Sequence, residues 1–297
     1  MKVKTGILWV YFVYMGMTAS NVLAQSEPMY SQYMLNGLVI NPAYAGVHKV
    51  MDIALVYRNQ WTGINGAPET QTLSLHTLLK DKKSGIGFNL VRDNIGITSQ
   101  TMVNGNYAYK LPFHNGLLSL GLMTQVNFVN FNFQDLNLQA DSDPSFTNKE
   151  NATEVSFGAG IFYHTENFFL GLSMPHLRRS DLFERHWFIH TGYVWDVRPH
   201  LKLKPSAMIK YVSGAPLEID LNATVFWRDR FWVGASVRSF DGIYALTGMN
   251  ITRQFSIGYA FDLALTDLNA YAQGTHEVIL KYRFSFNKSM ILSPRYF

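Results

Sequence analysis

The sequence predicts an all-β protein, a transmembrane outer-membrane β-barrel of about 14 antiparallel strands. An amino-terminal segment is expected to pack in or at its periplasmic mouth. Three observations carry this reading. Apolar and polar residues alternate with period two along one segment after another. The connections between segments divide into a short set and a long set. Aromatic residues make up 14% of the 297-residue chain while charged residues make up only 15%, well below the roughly 25% of an average soluble protein. A lipid-facing outside and a polar inside would produce that balance.

Residues 1–24 read as a signal peptide. Lys2 and Lys4 form a basic start, Gly6 to Met17 an apolar core, and Val22-Leu23-Ala24 a cleavage site before Gln25. The apolar run is shorter than the roughly 20 residues that a membrane-spanning helix needs. Residues 25–49 then form a plug-like segment of different character. Met29 to Gly46 carries Tyr30, Tyr33 and Tyr44, with Asn36, Asn41 and Pro42, and has neither charge nor strand-like alternation. Asn41-Pro42 favours a turn, because proline restricts its own φ and pushes the preceding residue away from α. Gly46 supplies a flexible exit. Lying before the first strand, the segment is expected on the periplasmic side, with its three tyrosines against inward strand residues. Two roles stay open for it: sealing the opening, or contacting a partner directly.

The barrel is assigned to residues 50–286. Met51, Ile53, Leu55, Tyr57 and Trp61 alternate with Asp52, Ala54, Arg58 and Gln60. Leu217, Ile219, Leu221 and Val225 oppose Glu218, Asp220, Asn222 and Thr224, and Val278, Leu280 and Tyr282 oppose Glu277, Lys281 and Arg283. Fourteen such segments start near residues 50, 68, 84, 99, 116, 155, 166, 186, 201, 215, 230, 242, 253 and 275. Even-numbered connections, such as Asp81-Lys82-Lys83 and Arg228-Asp229-Arg230, are short. The long ones, near 129–154, 174–185 and 263–274, are all odd-numbered. Outer-membrane barrels sort their periplasmic turns and outer loops in this way, whereas a soluble sandwich has no reason to. Tyr57, Trp61, Trp187, Trp195 and Trp227 fit interfacial girdles. Residues 287–297 are read as a periplasmic tail.

Several kinds of chemistry find no support. The net charge of +4 comes without a basic run, so nucleic acid is not an expected partner. With no cysteine, disulfides, thiolate metal sites and cysteine nucleophiles are excluded. His186 and His190 would share a helix face, but on a strand they stand roughly 13 Å apart, too far to share a metal. Asp135, Asp141, Asp143, Glu150 and Glu154 make one loop acidic without the spacing of a calcium-binding loop. No catalytic or cofactor motif appears, so no enzyme activity, metal or cofactor is expected. The inward positions hold charge of both signs, including Asp52, Arg58, Lys204, Lys210, Asp220, Arg238, Asp262, Glu277 and Lys281. They could set the selectivity of a lumen or form a paired network that stiffens the barrel. No inward hydrophobic set stands out, which argues against a lipid-transport lumen.

Several ordered blocks resemble the PorP/SprF family of type IX secretion outer-membrane proteins. They are Ser31-Gln32-Tyr33-Met34, Asn41-Pro42-Ala43-Tyr44-Ala45-Gly46, Tyr57-Arg58-Asn59-Gln60-Trp61, Asp93-Asn94-Ile95-Gly96, Gly171 to Leu177, Gly258 to Asp262, Gly274 to Glu277 and Ser293 to Phe297. The resemblance implies outer-membrane localisation and a role in protein secretion and gliding motility, with no catalytic residues. It implies as partners a large secreted adhesin-type surface protein, engaged through its C-terminal sorting domain, and other secretion components, among them a periplasmic peptidoglycan-binding subunit. Outer-membrane lipid would surround the barrel. Tyr30, Tyr33, Asn41, Pro42, Tyr44, Gly46 and Arg58 are the candidate partner-binding or plug residues. The alternative is a plugged porin or fatty-acid-transporter-like solute channel.

Overall fold

In the computed structural model, residues 27–132, 151–180 and 184–284 are described. The signal peptide, most of the acidic loop and the carboxy-terminal tail read from the sequence lie outside them. The strands run β1 (Met51–Asn59), β2 (Glu69–Leu78), β3 (Ser84–Ile95), β4 (Thr98–Phe113), β5 (Gly116–Phe131), β6 (Asn151–His164), β7 (Phe168–Met174) and β8 (His186–Tyr193). They continue as β9 (Trp195–Arg198), β10 (Leu201–Val212), β11 (Glu218–Trp227), β12 (Phe231–Arg238), β13 (Gly242–Asn250), β14 (Phe255–Ala264) and β15 (Thr275–Phe284).

β8 and β9 both pair with β10 and form one spanning strand, interrupted at Val194. The Val194 N–H leaves the ladder for the Asn167 carbonyl at 2.7 Å. Fourteen spanning strands therefore result, each antiparallel to its neighbours. β1 pairs with β15 from Met51↔Phe284 to Asn59↔His276, so the sheet closes and leaves no edge.

Alternation sorts the two faces. Leu55, Tyr57, Leu122, Phe157, Trp195, Leu221, Trp227 and Val233 are exposed on the outside, as a surface solvated by hydrocarbon should be. Asp52, Arg58, Thr72, Asn89, Gln125, Lys204 and Glu277 are buried within. Trp61 departs from the sequence reading. It lies beyond the end of β1 with a positive φ of 49°, and its N–H bonds the Thr275 hydroxyl at 3.0 Å. Trp61 is thus a loop residue rather than part of a girdle.

Connections at one end are short: residues 79–83, 114–115, 165–167, 199–200, 228–230 and 251–254. The other end carries the longer ones, at 60–68, 132–150, 175–185 and 265–274. The strands flanking the longest loop extend further than the sequence suggested, leaving 132–150 in place of 129–154.

Residues 27–50 occupy the barrel interior. Three 3-10 turns, Tyr33–Leu35, Gly37–Val39 and Pro42–Tyr44, fold the segment into a compact column. Its upper part touches the long-loop end, where Glu27 contacts His176 just beyond β7. Its lower part reaches the short-turn end, where Gly46 abuts Thr77, Leu78 and Gly85. The segment therefore extends beyond the mouth and runs nearly the full height of the wall.

One expectation is corrected. The wall does carry an inward apolar set, and the segment consumes it. Tyr30, Tyr33, Met34 and Ile40 pack with Ala54, Val56, Phe188, Met208, Leu246 and Ile279. Leu38, Ala43, Tyr44, Ala45 and Val47 pack with Ala108, Phe162, Phe169 and Val194. These wall residues come one or two per strand among polar neighbours, so no single segment announces them.

Candidate functional site

The contact between segment and wall is an extensive polar arrangement. An irregular backbone buried in a barrel must find partners for every N–H and C=O away from water. The inward side chains provide them. The Ser31 and Gln32 N–H groups donate to the two carboxylate oxygens of Glu277, each at 2.8 Å. Lys281 donates to the Leu35 carbonyl at 2.6 Å and Ser173 to the Ile40 carbonyl at 2.8 Å. Asn89 donates to the Leu38 carbonyl at 3.3 Å and Arg238 to the Tyr30 carbonyl at 3.1 Å. A polar lumen wall here solves a hydrogen-bonding problem.

Three charge groups build the wall side. Near the long-loop end, Arg58 Nη1 lies 2.7 Å from Asp262 and 3.1 Å from Glu277. The Ser31 hydroxyl accepts from Arg58 and donates to Asp262, both at 2.5 Å. Arg238 pairs with Asp220 at 3.0 Å, and Asp220 accepts from the Tyr33 hydroxyl at 3.3 Å. Lower down, Asp52 is held by Lys281 at 3.4 Å and Arg283 at 3.2 Å. Of the two roles open for the inward charges, Asp52, Arg58, Asp220, Arg238, Asp262, Glu277, Lys281 and Arg283 take the second, as paired groups, which suits charges removed from water.

The turn at Asn41-Pro42 docks the middle of the column. Asn41 is extended (φ −136°, ψ 114°), Pro42 takes the first position of the following turn, and the Asn41 side chain accepts from the Ala43 N–H at 2.9 Å. Its amide donates outward to the Ile161 and Leu172 carbonyls at 3.0 and 3.4 Å. The wall makes room with glycine. A Cβ on Gly121 would stand 2.2 Å from the Ala43 nitrogen, and one on Gly160 2.2 Å from Asn41 Oδ1. Gly46 has a φ of +68°, the left-handed region.

Tyr30, Tyr33, Asn41, Pro42, Tyr44, Gly46 and Arg58 therefore all meet at this interface, and all are buried. Tyr30 bonds the Thr72 hydroxyl at 2.7 Å. Tyr44 sets its ring edge-on to His76 and Phe162, with centroids 5.4 Å away in each case. Burial of Tyr30 raises its phenol far above the usual range. What these seven present is a packed joint, with little surface left for an outside partner.

Two groupings escaped sequence reading. Ser156, His176 and Glu27 form a hydrogen-bonded chain, with 2.7 Å between Ser156 Oγ and His176 Nδ1 and His176 Nε2 against the Glu27 carboxylate. Burial would push the Glu27 carboxyl up, but His176 draws it below its usual range. The adjoining cavity, lined by Glu27, Gln125 and Pro175, measures about 30 Å³, room for about two waters. The chain fastens the top of the segment to the wall. At the base, His48, Asp52 and His76 bring possible metal-ligand atoms within 4.8 Å of one another. Lys281 and Arg283 already neutralise Asp52 there, so a divalent ion would face two fixed cations. Each grouping is completed by a residue distant in the chain, Glu27 for Ser156 and His176, and His76 for His48 and Asp52, so local spacing did not signal it.

His186 and His190 lie on strand β8, both facing inward. His186 stacks on Phe188 with centroids 6.1 Å apart, and His190 stacks on Phe162 at 5.7 Å. Among the described residues no helix is long and apolar enough to cross a membrane.

A solved outer membrane protein shares this fold, and two solved channels are more distant likenesses. The Acinetobacter baumannii outer membrane protein Omp33 is 14% identical, with 80% of this chain aligned to 100% of that one at a TM-score of 0.50. A monoaromatic hydrocarbon channel, TodX in a deletion mutant, is 9% identical over 84% of this chain and 94% of that one (TM-score 0.49). CymD, another such channel, is 10% identical over 90% and 96% (TM-score 0.47). At these identities the likeness is one of fold alone. No curated relative matches the chain significantly. The model of one protein family, described as type IX secretion system membrane protein PorP/SprF, matches residues 22–282. The chain belongs to that family.

Proposed function

We propose that this barrel is an accessory of type IX secretion that binds, anchors or assists export of a secreted adhesin-type surface protein through that protein's C-terminal sorting domain. It works through its two ends, with its lumen sealed. The observation that carries the reading is the column of residues 27–50, which occupies the lumen from one end to the other and is bonded to the wall at each level. The spaces left beside it are small; the one lined by Met34, His48, Trp232 and Lys281 holds about 50 Å³. A barrel so filled suits a rigid platform and does not suit a solute channel. The family places the chain with the secretion machinery, and a link to a periplasmic peptidoglycan-binding subunit belongs to the same proposal. So do export by residues 1–24 and a part in gliding motility.

Co-purification of the full chain from outer membranes tests the reading. A large surface protein should accompany it, and deletion should abolish display of that protein. A barrel recovered without such a partner, with normal surface display after deletion, would overturn the proposal. Bilayer recordings address the channel alternative separately, because a sealed lumen should show no steady current.

A further inference from the structure

The outer surface carries a second arrangement that the sealed lumen does not use. At the short-turn end, β11 and β12 are joined by Arg228-Asp229-Arg230, in which Arg228 and Asp229 both have positive φ, 53° and 54°. The Arg228 N–H bonds the His200 carbonyl of the next turn at 2.7 Å, and the Arg230 N–H bonds the Trp227 carbonyl at 3.0 Å. The turn is thereby held, and its two guanidiniums are turned onto aromatic rings. Arg228 lies over Trp227 with 4.9 Å to the ring, and Arg230 over Phe231 with 5.6 Å. The two rings stack on each other, centroids 5.9 Å apart. Trp227 and Phe231 are exposed on the lipid-facing side, as is Trp195 two strands away.

Arg198 stands at the same level, since Leu201 of β10 pairs with Arg198 on one side and Trp227 on the other. None of these three exposed arginines is in an ion pair among the described residues. Asp196 is taken by Lys202 at 3.3 Å. Three guanidiniums thus stand with Asp229 of the same turn at the boundary between an aromatic belt and water.

We propose that this patch is a binding site for the phosphate headgroup of an anionic glycerophospholipid in the periplasmic leaflet. Short turns place this end at the periplasm. Aromatic rings seat at the headgroup level, and arginine forks match phosphate oxygens in paired hydrogen bonds. Stacking on Trp227 and Phe231 holds the two guanidiniums in place, so less freedom is lost when a headgroup arrives. Charge complementarity selects a lipid over other occupants, because the aromatic half of the patch faces hydrocarbon, where a soluble acidic protein could not cover it.

Native mass spectrometry of the detergent-purified full chain with added phosphatidylglycerol or phosphatidylcholine tests this. Phosphatidylglycerol should be retained preferentially. The R228Q/R230Q variant should lose that retention by about fivefold for each arginine, about 25-fold together. K82Q/K83Q, which removes charge from another turn of the same end, should retain it. Heat-modifiable gel mobility confirms that each variant is folded. The proposal fails if R228Q/R230Q binds like the parent, if K82Q/K83Q loses as much, or if a soluble polyglutamate peptide displaces the lipid.

Discussion

Arg58 of β1 and Asp262 of β14 are joined at 2.7 Å although β15 stands between their strands. The Ser31 hydroxyl closes the group from the lumen side, 2.5 Å from each. Wall and column are thus parts of one hydrogen-bonded unit, and charge on the wall is matched to backbone on the column.

Replacing Arg58 by Ala strands the Asp262 and Glu277 carboxylates in a buried site. A loss of about 3–5 kcal/mol is expected, measurable as a shift in guanidinium unfolding of the detergent-solubilised barrel. Arg58→Lys should recover part of it, because the contacts to Ser31, Asp262 and Glu277 are all made from one nitrogen, Nη1, which an ammonium can replace.

Asn41→Ala removes a turn cap and two bonds to wall carbonyls, and should cost about 2 kcal/mol. Asn41→Asp should cost more. It keeps the acceptor for Ala43 but turns a carboxylate oxygen toward the Ile161 and Leu172 carbonyls. An aspartate variant as stable as the parent would refute this placement.

Gly121→Val places a branched side chain where the Ala43 backbone now stands. The segment must yield, because Gly121 lies in the hydrogen-bonded ladder of β5 with β4 and β6. Proteolysis near residues 41–45 should become possible, and single-channel recordings should show current absent from the parent. Deleting residues 27–46 should produce larger currents in the same assay.

His48 sits at the base of the column with Asp52, His76, Lys281 and Arg283 about it. Burial holds its ring down to about 4 from the usual 6.5, against the pull of Asp52. The unfolded chain therefore takes up this proton first as pH falls. Stability from the neutral ring is complete above about pH 6.5 and is lost toward pH 4, by up to about 3 kcal/mol. Unfolding midpoints at pH 7, 5.5 and 4.5 should fall in the parent, and the His48→Asn variant should show a shallower decline.

Much of the wall was legible in the sequence, because period two is a local property and lipid on one side enforces it. Every expected strand start lies within four residues of the observed one, the widest gap being 155 against Asn151. The break at Val194 was not legible, since it depends on a bond to Asn167 of another turn. Alternation also identifies Arg58 and Asp262 as inward without saying that they meet. Face follows from neighbours in the chain, whereas contact across a lumen depends on how fourteen strands close. The candidate residues of the segment were found by their turn chemistry and by resemblance. Their wall partners were not legible as partners: Glu277 read as an inward charge, but nothing in the sequence tied it to Ser31, or Gly121 to Ala43.

The path of residues 27–50 bears on how the barrel is made. Glu27 lies at the long-loop end while β1 begins at the opposite one, so the chain passes along the axis before it enters the wall. Pulling it through a finished hoop would drag Tyr30, Tyr33 and Tyr44 past a closed ring of side chains. Laying the strands around it, with the seam between β1 and β15 zipped last, meets no such obstacle. The column is then the mandrel on which the wall is wound, and a barrel assembled without it would lack the surface that aligns its inward residues.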